Sequence, residues 1–306
     1  MTGTSDLQTV RLSSSGVLYI VSTPIGNLED LSLRAIRVLG GVQAVAAEDT
    51  RRTRRLLAHL QIKTRLISCH GHNERESTRR ILDILERGRD VALVSDAGTP
   101  VLSDPGTGMV KKAREAGIPI VPVPGPSAIT TALSIAALPA DSFLFAGFLP
   151  ARQSARKKVL RDMVRLPYTM VFFEAPHRLH AALADIRSVL GDRNAVLCRE
   201  LTKVHETVLA GSLSEITEKL GGGPVRGEIT LVIEGCGEIE PKESVMESDF
   251  LKRVMACMVS EKNVSVREVS VLLNQLTGIS RTGLYSLALK VREGRTGQRP
   301  DETRSL

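Results

Sequence analysis

Three loops rich in glycine and proline hold the residues best suited to chemistry: Thr23-Pro24-Ile25-Gly26-Asn27, the run from Asp96 to Gly106, and Pro124-Gly125-Pro126-Ser127. Glycine lets a backbone come close to a ligand, and proline fixes its path. Each loop follows a β-branched run that reads as a strand (17–21, 91–95 and 118–123), and the third opens a helix. Singly, each is an ordinary strand-to-helix turn. Together at one sheet edge they point to a single pocket, because open α/β sheets bind ligands beyond the carboxyl ends of their strands. The run Asp96-Ala97-Gly98-Thr99-Pro100-Val101-Leu102-Ser103-Asp104-Pro105-Gly106 is too dense in Gly, Pro and Asp for a turn alone. Titratable groups follow two other strands: Glu48-Asp49-Thr50-Arg51, and Lys203 with His205 and Glu206. They are candidates for moving a proton or steadying a charge, with surface ion pairs as the plain alternative.

Missing motifs narrow the ligand. No glycine is followed by lysine, so there is no Walker A loop. Gly106-Thr107-Gly108 continues to Lys111 where a dinucleotide fingerprint needs a third glycine. The pocket therefore favours a ligand without a pyrophosphate. The four cysteines form no C-x-x-C pair, so they read as reduced, mostly buried thiols. Cys69, His70 and His72 are a poor metal signal, and no metal is expected.

The elements that must position these loops alternate. Strand candidates at 17–21, 42–46, 66–68, 91–95, 118–123 and 143–146 are separated by amphipathic stretches such as Thr78–Arg87, where Ile81, Leu82 and Leu85 fall at helical spacing. That pattern predicts a mostly parallel sheet with helices on both faces. Gly147-Phe148-Leu149-Pro150 breaks it, which places a boundary near 148. A second, smaller α/β unit follows, with strands at 169–173, 195–198 and 229–233 and a helix at 178–190. The expected domains are a disordered start (1–15), an N-terminal α/β domain (16–147), a second one (148–236), a linker (237–245), a helical segment (246–293) and a disordered tail (294–306). Within the helical segment, Val266, Val269, Leu272, Leu273 and Leu276 form one stripe and Leu284, Leu287, Ala288 and Val291 another. Thr277-Gly278-Ile279 makes the turn between them, and Ser280 is a candidate N-cap. The pair reads equally as a helix-turn-helix or as a small helical cap.

Composition sets the bounds. The chain has 306 residues, a length that fits about two domains and buries a sizeable core without disulfides. Its 42% hydrophobic and 25% charged content excludes wholesale disorder, collagen and coiled coil. The longest nearly apolar stretch, 128–138, is too short to span a bilayer, and the first fifteen residues lack the apolar core of a secretory signal. A cytoplasmic protein without a membrane partner is expected. The 41 basic against 34 acidic residues leave +7, which suits a polyanionic partner. The charge gathers in Arg51, Arg52, Arg54 and Arg55, and in Arg152, Arg156, Lys157, Lys158, Arg161 and Arg165. These are candidate phosphate contacts, or two solvated helix faces.

Six segments carry a resemblance: Ser22–Asp30, Ala47-Glu48-Asp49-Thr50-Arg51, Ser95–Gly106, Val123-Pro124-Gly125-Pro126-Ser127-Ala128, Phe172-Phe173-Glu174-Ala175-Pro176-His177-Arg178 and Arg199-Glu200-Leu201-Thr202-Lys203. In this order they resemble the bacterial small-subunit ribosomal RNA methyltransferase I family. Those are 2′-O-ribose methyltransferases of the tetrapyrrole-methylase-like superfamily of class III S-adenosylmethionine (SAM) enzymes. The resemblance spans about 16–235 and continues weakly to 292. The segment Cys69-His70-Gly71-His72-Asn73-Glu74 fits it less well: the resemblance implies His72-Asn73-Glu74, while the residues before them are individual to this chain.

The resemblance implies two α/β domains of the tetrapyrrole methylase type with SAM in the cleft between them, a small helical C-terminal segment and a homodimer. It implies a cytidine of 16S rRNA in the decoding region as target and the small ribosomal subunit as substrate. By resemblance, Asp96, Ala97, Gly98, Thr99, Pro100 and Leu102 form the principal cofactor loop, and Ser127 and Ala128 the second contact. Pro24 and Gly26 join them, and Glu174, Leu201, Thr202, Gly227 and Glu228 enclose the cofactor from the second domain. The RNA-binding set is Arg51, Arg52, Arg54, Arg55, Arg156, Lys157, Lys158 and Arg178. For methylation of a hydroxyl, Glu48 and Asp49 are the first-domain candidates for catalysis. Lys203 is the second-domain one, as a cation beside the alkoxide or as a desolvated base. Two competing readings remain at this stage: the same fold acting on a tetrapyrrole or other small molecule, and a non-catalytic ribosome-assembly protein that binds RNA.

Overall fold

The computed structural model of the protein describes residues 15–71, 73–236, 249–260, 265–277 and 279–296. The chain divides into two compact units, Met1–Cys236 and Gly237–Leu306. The expected linker, all but Ser15 of the expected disordered start, and most of the tail lie outside the described residues, as do His72 and Gly278.

The first unit opens with a five-stranded parallel sheet in the order β3-β2-β4-β1-β5. Its strands are β1 (Leu18–Val21), β2 (Ala44–Ala47), β3 (Arg65–Ser68), β4 (Val91–Val94) and β5 (Ile120–Val123). Interior strands β2 and β4 are buried at every residue and read as unbroken apolar runs, as strands covered on both faces must. Helices α1 (Leu33–Gly41) and α2 (Thr50–His59) cover one face through Leu39 and Leu57. Helices α3 (Glu74–Glu86) and α4 (Thr107–Glu115) cover the other through Ile81, Leu85 and Met109. The chain steps one way from β1 to β3 and back from β3 to β5, and right-handed crossovers then place the two helix pairs on opposite faces. The loop after β4 therefore leaves toward one face while its neighbours after β1 and β2 leave toward the other. That divergence opens a crevice at the carboxyl edge. Helix α5 (Ala128–Ile135) follows β5 and packs toward the second sheet.

The second sheet is mixed rather than parallel. Its order is β6-β7-β10-β8-β9, from β6 (Phe143–Phe148), β7 (Thr169–Glu174), β8 (Asn194–Arg199), β9 (Thr207–Ser212) and β10 (Ile229–Ile233). Only β6 and β7 pair in parallel; β10 runs antiparallel to both neighbours, and β9 antiparallel to β8. Alternation of strand and helix correctly implies that β7 and β8 point the same way, but not that β10 inserts between them. Strand β6 belongs to this sheet, so the change of sheet precedes Phe143. Edge strand β9 lacks a run of buried residues and gave no strand signal. Helices α6 (Gln153–Met163), α7 (Leu179–Leu190) and α8 (Leu213–Leu220) pack on the sheet through Leu160, Leu183 and Ile216.

The second unit holds α9 (Asp249–Ser260), α10 (Val266–Thr277) and α11 (Arg281–Thr296). Leu251, Met255, Val269, Leu273, Leu284 and Ala288 form its core. Ser280 caps α11 by accepting from Gly283 N at 3.3 Å. Of the nine predicted stripe residues, Leu272 and Leu276 stay exposed and the other seven are buried or half-buried.

Candidate functional site

A cavity of about 390 Å3 lies between the carboxyl edge of the first sheet and the second sheet. The β4 loop supplies Asp96, Ala97, Gly98, Thr99, Leu102, Ser103 and Asp104 to its lining. Ser127, Ala128 and Ile129 enter at the start of α5, and Phe148, Phe173, Glu174, Gly227 and Glu228 close it from the second sheet. The loops are fixed by backbone pairing: Thr23 N donates to Gly98 O, and Gly98 N to Thr23 O, both at 2.9 Å. Gly98 has φ +80°, a conformation that L side chains rarely adopt, while a Cβ there would meet Ile25 in ordinary contact at 3.4 Å. Phe148 and Phe173 meet with their rings tilted by 59° and centroids 5.6 Å apart to form an apolar wall.

Strain gathers in the β4 loop that lines this cavity and in the loop after β8. Val101 (φ 77°) and Ser103 (φ 64°) lie in the left-handed region within the β4 loop, as do Glu200 (φ 55°) and Thr202 (φ 66°) in the loop after β8. A β-branched residue such as Val101 or Thr202 resists that conformation, at a cost of roughly 1–3 kcal/mol each. Surrounding contacts must hold them there, which is how a site is preorganised.

The electrostatics are acidic. Burial, with Glu48 and Asp96 nearby, pushes the Asp104 carboxyl up to about 6. Burial also raises Glu48, helped by Asp96. Asp96 itself accepts from Asp49 N at 2.9 Å and faces Arg52 at 3.5 Å. Glu174 is 2% exposed; its Oε1 accepts from Arg178 Nε at 2.6 Å and Ala175 N at 2.7 Å. Its Oε2 is buried without a partner. An unmatched carboxylate oxygen is costly unless a ligand donor meets it. Among the described residues no cluster of His, Cys, Asp and Glu could hold a metal ion.

Residues 17–217 match the family model described as Tetrapyrrole (Corrin/Porphyrin) Methylases. The chain is 44% identical over 286 residues to the ribosomal RNA small subunit methyltransferase I of Pseudomonas aeruginosa, covering 92% of this chain and 100% of the relative. The chain belongs to the ribosomal RNA small subunit methyltransferase I family. A member from Halalkalibacterium halodurans is 46% identical over 234 residues, covering 76% of this chain and 81% of its own. Among solved structures, the uroporphyrin-III C-methyltransferase of Thermus thermophilus complexed with S-adenyl homocysteine superposes with TM-score 0.51 at 22% identity, over 73% of this chain and 98% of that one. It supports the fold.

In this member of the methyltransferase I family, the expected cofactor residues divide. Asp96, Ala97, Gly98, Thr99, Leu102, Ser127, Ala128, Glu174, Gly227 and Glu228 all line the cavity. Pro24 lines a neighbouring groove beside Arg52 and Arg55. Pro100 is buried behind the loop, and Leu201 joins the core between the sheets. Gly26 and Thr202 join the two halves: a Cβ at Gly26 would collide with Lys203 and Thr202, and Thr202 Oγ1 accepts from Asn27 N at 3.1 Å. Sequence reasoning missed Asp104, Phe148 and Phe173. The only hint for Asp104 was an aspartate inside a Gly/Pro loop.

Of the expected catalytic set, none lines the cavity. Asp49 caps α2 and binds Arg51 through both oxygens. The side-chain hydrogen bonds from Arg51 hold its carboxyl well below the usual range. Lys203 Nζ is fixed by Glu200 at 2.8 Å and Glu228 at 3.1 Å. Burial pulls its pKa down, but the bonds to those acids outweigh burial and raise it, so it stays an ammonium and not a base. The expected RNA-binding set needs correction as well. Arg156 is 3% exposed and donates to Asp185 from Nε at 2.9 Å and to the Pro150 and Ala151 carbonyls from Nη1. It is a buried structural cation, unavailable to a phosphate. Lys157 leans on the same Asp185 at 3.3 Å, and Arg178 is tied to Glu174. Lys158 and Arg51, Arg52, Arg54 and Arg55 remain exposed.

Proposed function

We propose that this protein transfers the methyl group of SAM to the ribose 2′-hydroxyl of a cytidine in 16S rRNA, within the small ribosomal subunit. It does so in the cytoplasm and as a homodimer. The observation that carries the reading is the cavity: it is lined by the strained β4 loop, it is rich in carboxylates and it holds an unmatched Glu174 oxygen. These features fit SAM, which is cationic at sulfur and ammonium, has amine donors and carries no phosphate. The first turn of α5 behind Ser127, whose N–H groups lack a side-chain cap, suits its carboxylate. Phe148 and Phe173 suit the adenine.

Bound SAM supplies an electrophilic methyl on a positively charged sulfur. This chain's part is to align the hydroxyl with it, exclude water and receive the proton. The new bond joins the ribose oxygen to the methyl carbon, the sulfur–methyl bond breaks, and the hydroxyl proton leaves to a base. Asp104 is that base in our reading, since it alone among the raised carboxylates lines the cavity. The arginines of α2 are exposed, with Arg52 lining the cavity and Arg55 the neighbouring groove, and they suit an extended polyanion better than a tetrapyrrole. Mass-spectrometric mapping of ribose methylation tests this. rRNA from a strain lacking the protein should lose one 2′-O-methyl cytidine, which the purified protein with SAM should restore on isolated subunits. An unchanged methylation map would refute it, and methylation of a tetrapyrrole instead would establish the small-molecule alternative. Sedimentation checks the dimer.

A further inference from the structure

The carboxyl edge of the first sheet carries more than the cavity. A groove of about 1010 Å3 runs between residues 74–82 of α3 and 108–112 of α4, beside the end of edge strand β3. Arg75 and Arg79 of α3 and Lys111 and Lys112 of α4 line it, all exposed. Lys112 is paired with Glu115 at 2.9 Å, whereas Arg75, Arg79 and Lys111 form no ion pair among the described residues. Of the two acids in the groove, Glu74 is taken up in capping α4, accepting from Gly108 N at 3.0 Å, which leaves Glu76.

Two features argue for a ligand. Arg75 lies in the first turn of α3, where a cation works against the helix dipole, so its placement does not serve folding. The groove also starts where the cavity ends: Asp104 lines the cavity and Gly108 the groove, four residues apart, so roughly 14 Å of extended chain separates them at most. The cations are spread along two helices rather than converging on one point. A chain of spaced phosphates fits that array better than a single small anion does, and guanidinium forks suit phosphate oxygens.

We propose that the α3–α4 groove is an RNA-binding site that grips phosphates of the rRNA strand flanking the methylated nucleotide. This rests on the rRNA reading above. The test compares the full-length wild type with an Arg75→Ala, Arg79→Ala, Lys111→Ala triple variant on small subunits from a strain lacking the protein. Binding is measured against salt, methyl transfer with labelled SAM, and SAM affinity by calorimetry. The triple variant should raise the KM for subunits at least tenfold and reduce the log–log salt slope by about 2–3. Its kcat and SAM affinity should stay within twofold of wild type. Arg87→Ala with Arg89→Ala, at the other end of α3, should change neither KM nor slope. A triple variant with the wild-type slope would overturn the proposal, as would an equal loss in the Arg87/Arg89 control. A wild type that binds subunits without methylating them would overturn the rRNA methylation reading while the slope comparison still decides the groove. A wild type that does not bind at all would overturn both.

Discussion

Helices α2 and α6 begin with the same resource, a run of arginine and lysine, and use it in opposite ways. In α2, Arg51, Arg52, Arg54 and Arg55 all reach solvent beside the cavity, and only Thr53 and Leu57 turn inward. In α6, Arg156 turns inward with Leu160 and becomes the centre of a buried network with Asp185, Gln153 and Lys157. Composition alone does not separate a cation that waits for a partner from one that already has it inside the fold. The separating fact is the position of one acid on α7. A second contrast follows from it. Asp185 is buried, yet the bonds from Gln153, Arg156 and Lys157 more than offset that burial and lower its pKa, whereas Asp104 is half-buried beside the acids Glu48 and Asp96 and its pKa rises.

Removing the inner cation should have the largest effect. Arg156→Ala strands Asp185 in the core and should cost about 3–5 kcal/mol of stability, read as a lowered denaturant midpoint. Pairing Arg156→Met with Asp185→Leu should recover most of that loss, because a well-packed apolar pair replaces a buried ion pair at little cost. A mild Arg156→Ala phenotype would erase the contrast between the helices.

Next comes Asp104→Asn. A carboxyl whose folded pKa lies above its unfolded value binds its proton more tightly when folded, so its contribution to stability is full below about pH 4 and lost as pH rises through about 6. The variant removes that loss. It should match wild type at pH 4 and exceed it at pH 7.5 by about 1–2 kcal/mol, after discounting for partial exposure. It should also abolish turnover. A variant less stable than wild type at pH 7.5 would show that Asp104 has a cation partner after all.

The smallest change in stability belongs to α2. Arg54→Ala with Arg55→Ala should leave the unfolding free energy within about 0.5 kcal/mol of wild type. It should still lower the salt slope of subunit binding by about 0.7–0.9 for each phosphate that the variant no longer neutralises. Asp49→Asn should be nearly silent, since asparagine caps a helix as well as aspartate does.

Local signals explain what the sequence revealed. The β4 loop was legible because Gly98, Pro100 and Gly106 cannot be read as helix or strand, and its cofactor assignment followed from the resemblance. Strands β2 and β4 were legible as unbroken apolar runs. What escaped depended on distance along the chain. Arg156 and Asp185 are 29 residues apart, and nothing near either one marks the pair. Strand β10 carries the same apolar pattern whether it runs parallel or antiparallel, so its insertion between β7 and β8 left no trace. Lys203 looked like a free cation because Glu228, one of its two partners, lies 25 residues away in another loop.

That insertion has a consequence for how the chain is made. All five strands of the first sheet are present once residue 123 has emerged from a translating ribosome, and each pairs only with strands from the same stretch. The second sheet has no such independence. Its central strand is the last to be synthesised, and until residues 229–233 arrive β7 and β8 have no common neighbour. During that interval two apolar strands wait with unpaired edges, which makes this half the part of the nascent chain most exposed to misassociation. A chain stalled or cut shortly before Ile229 would hold a finished first sheet and a second one missing its middle.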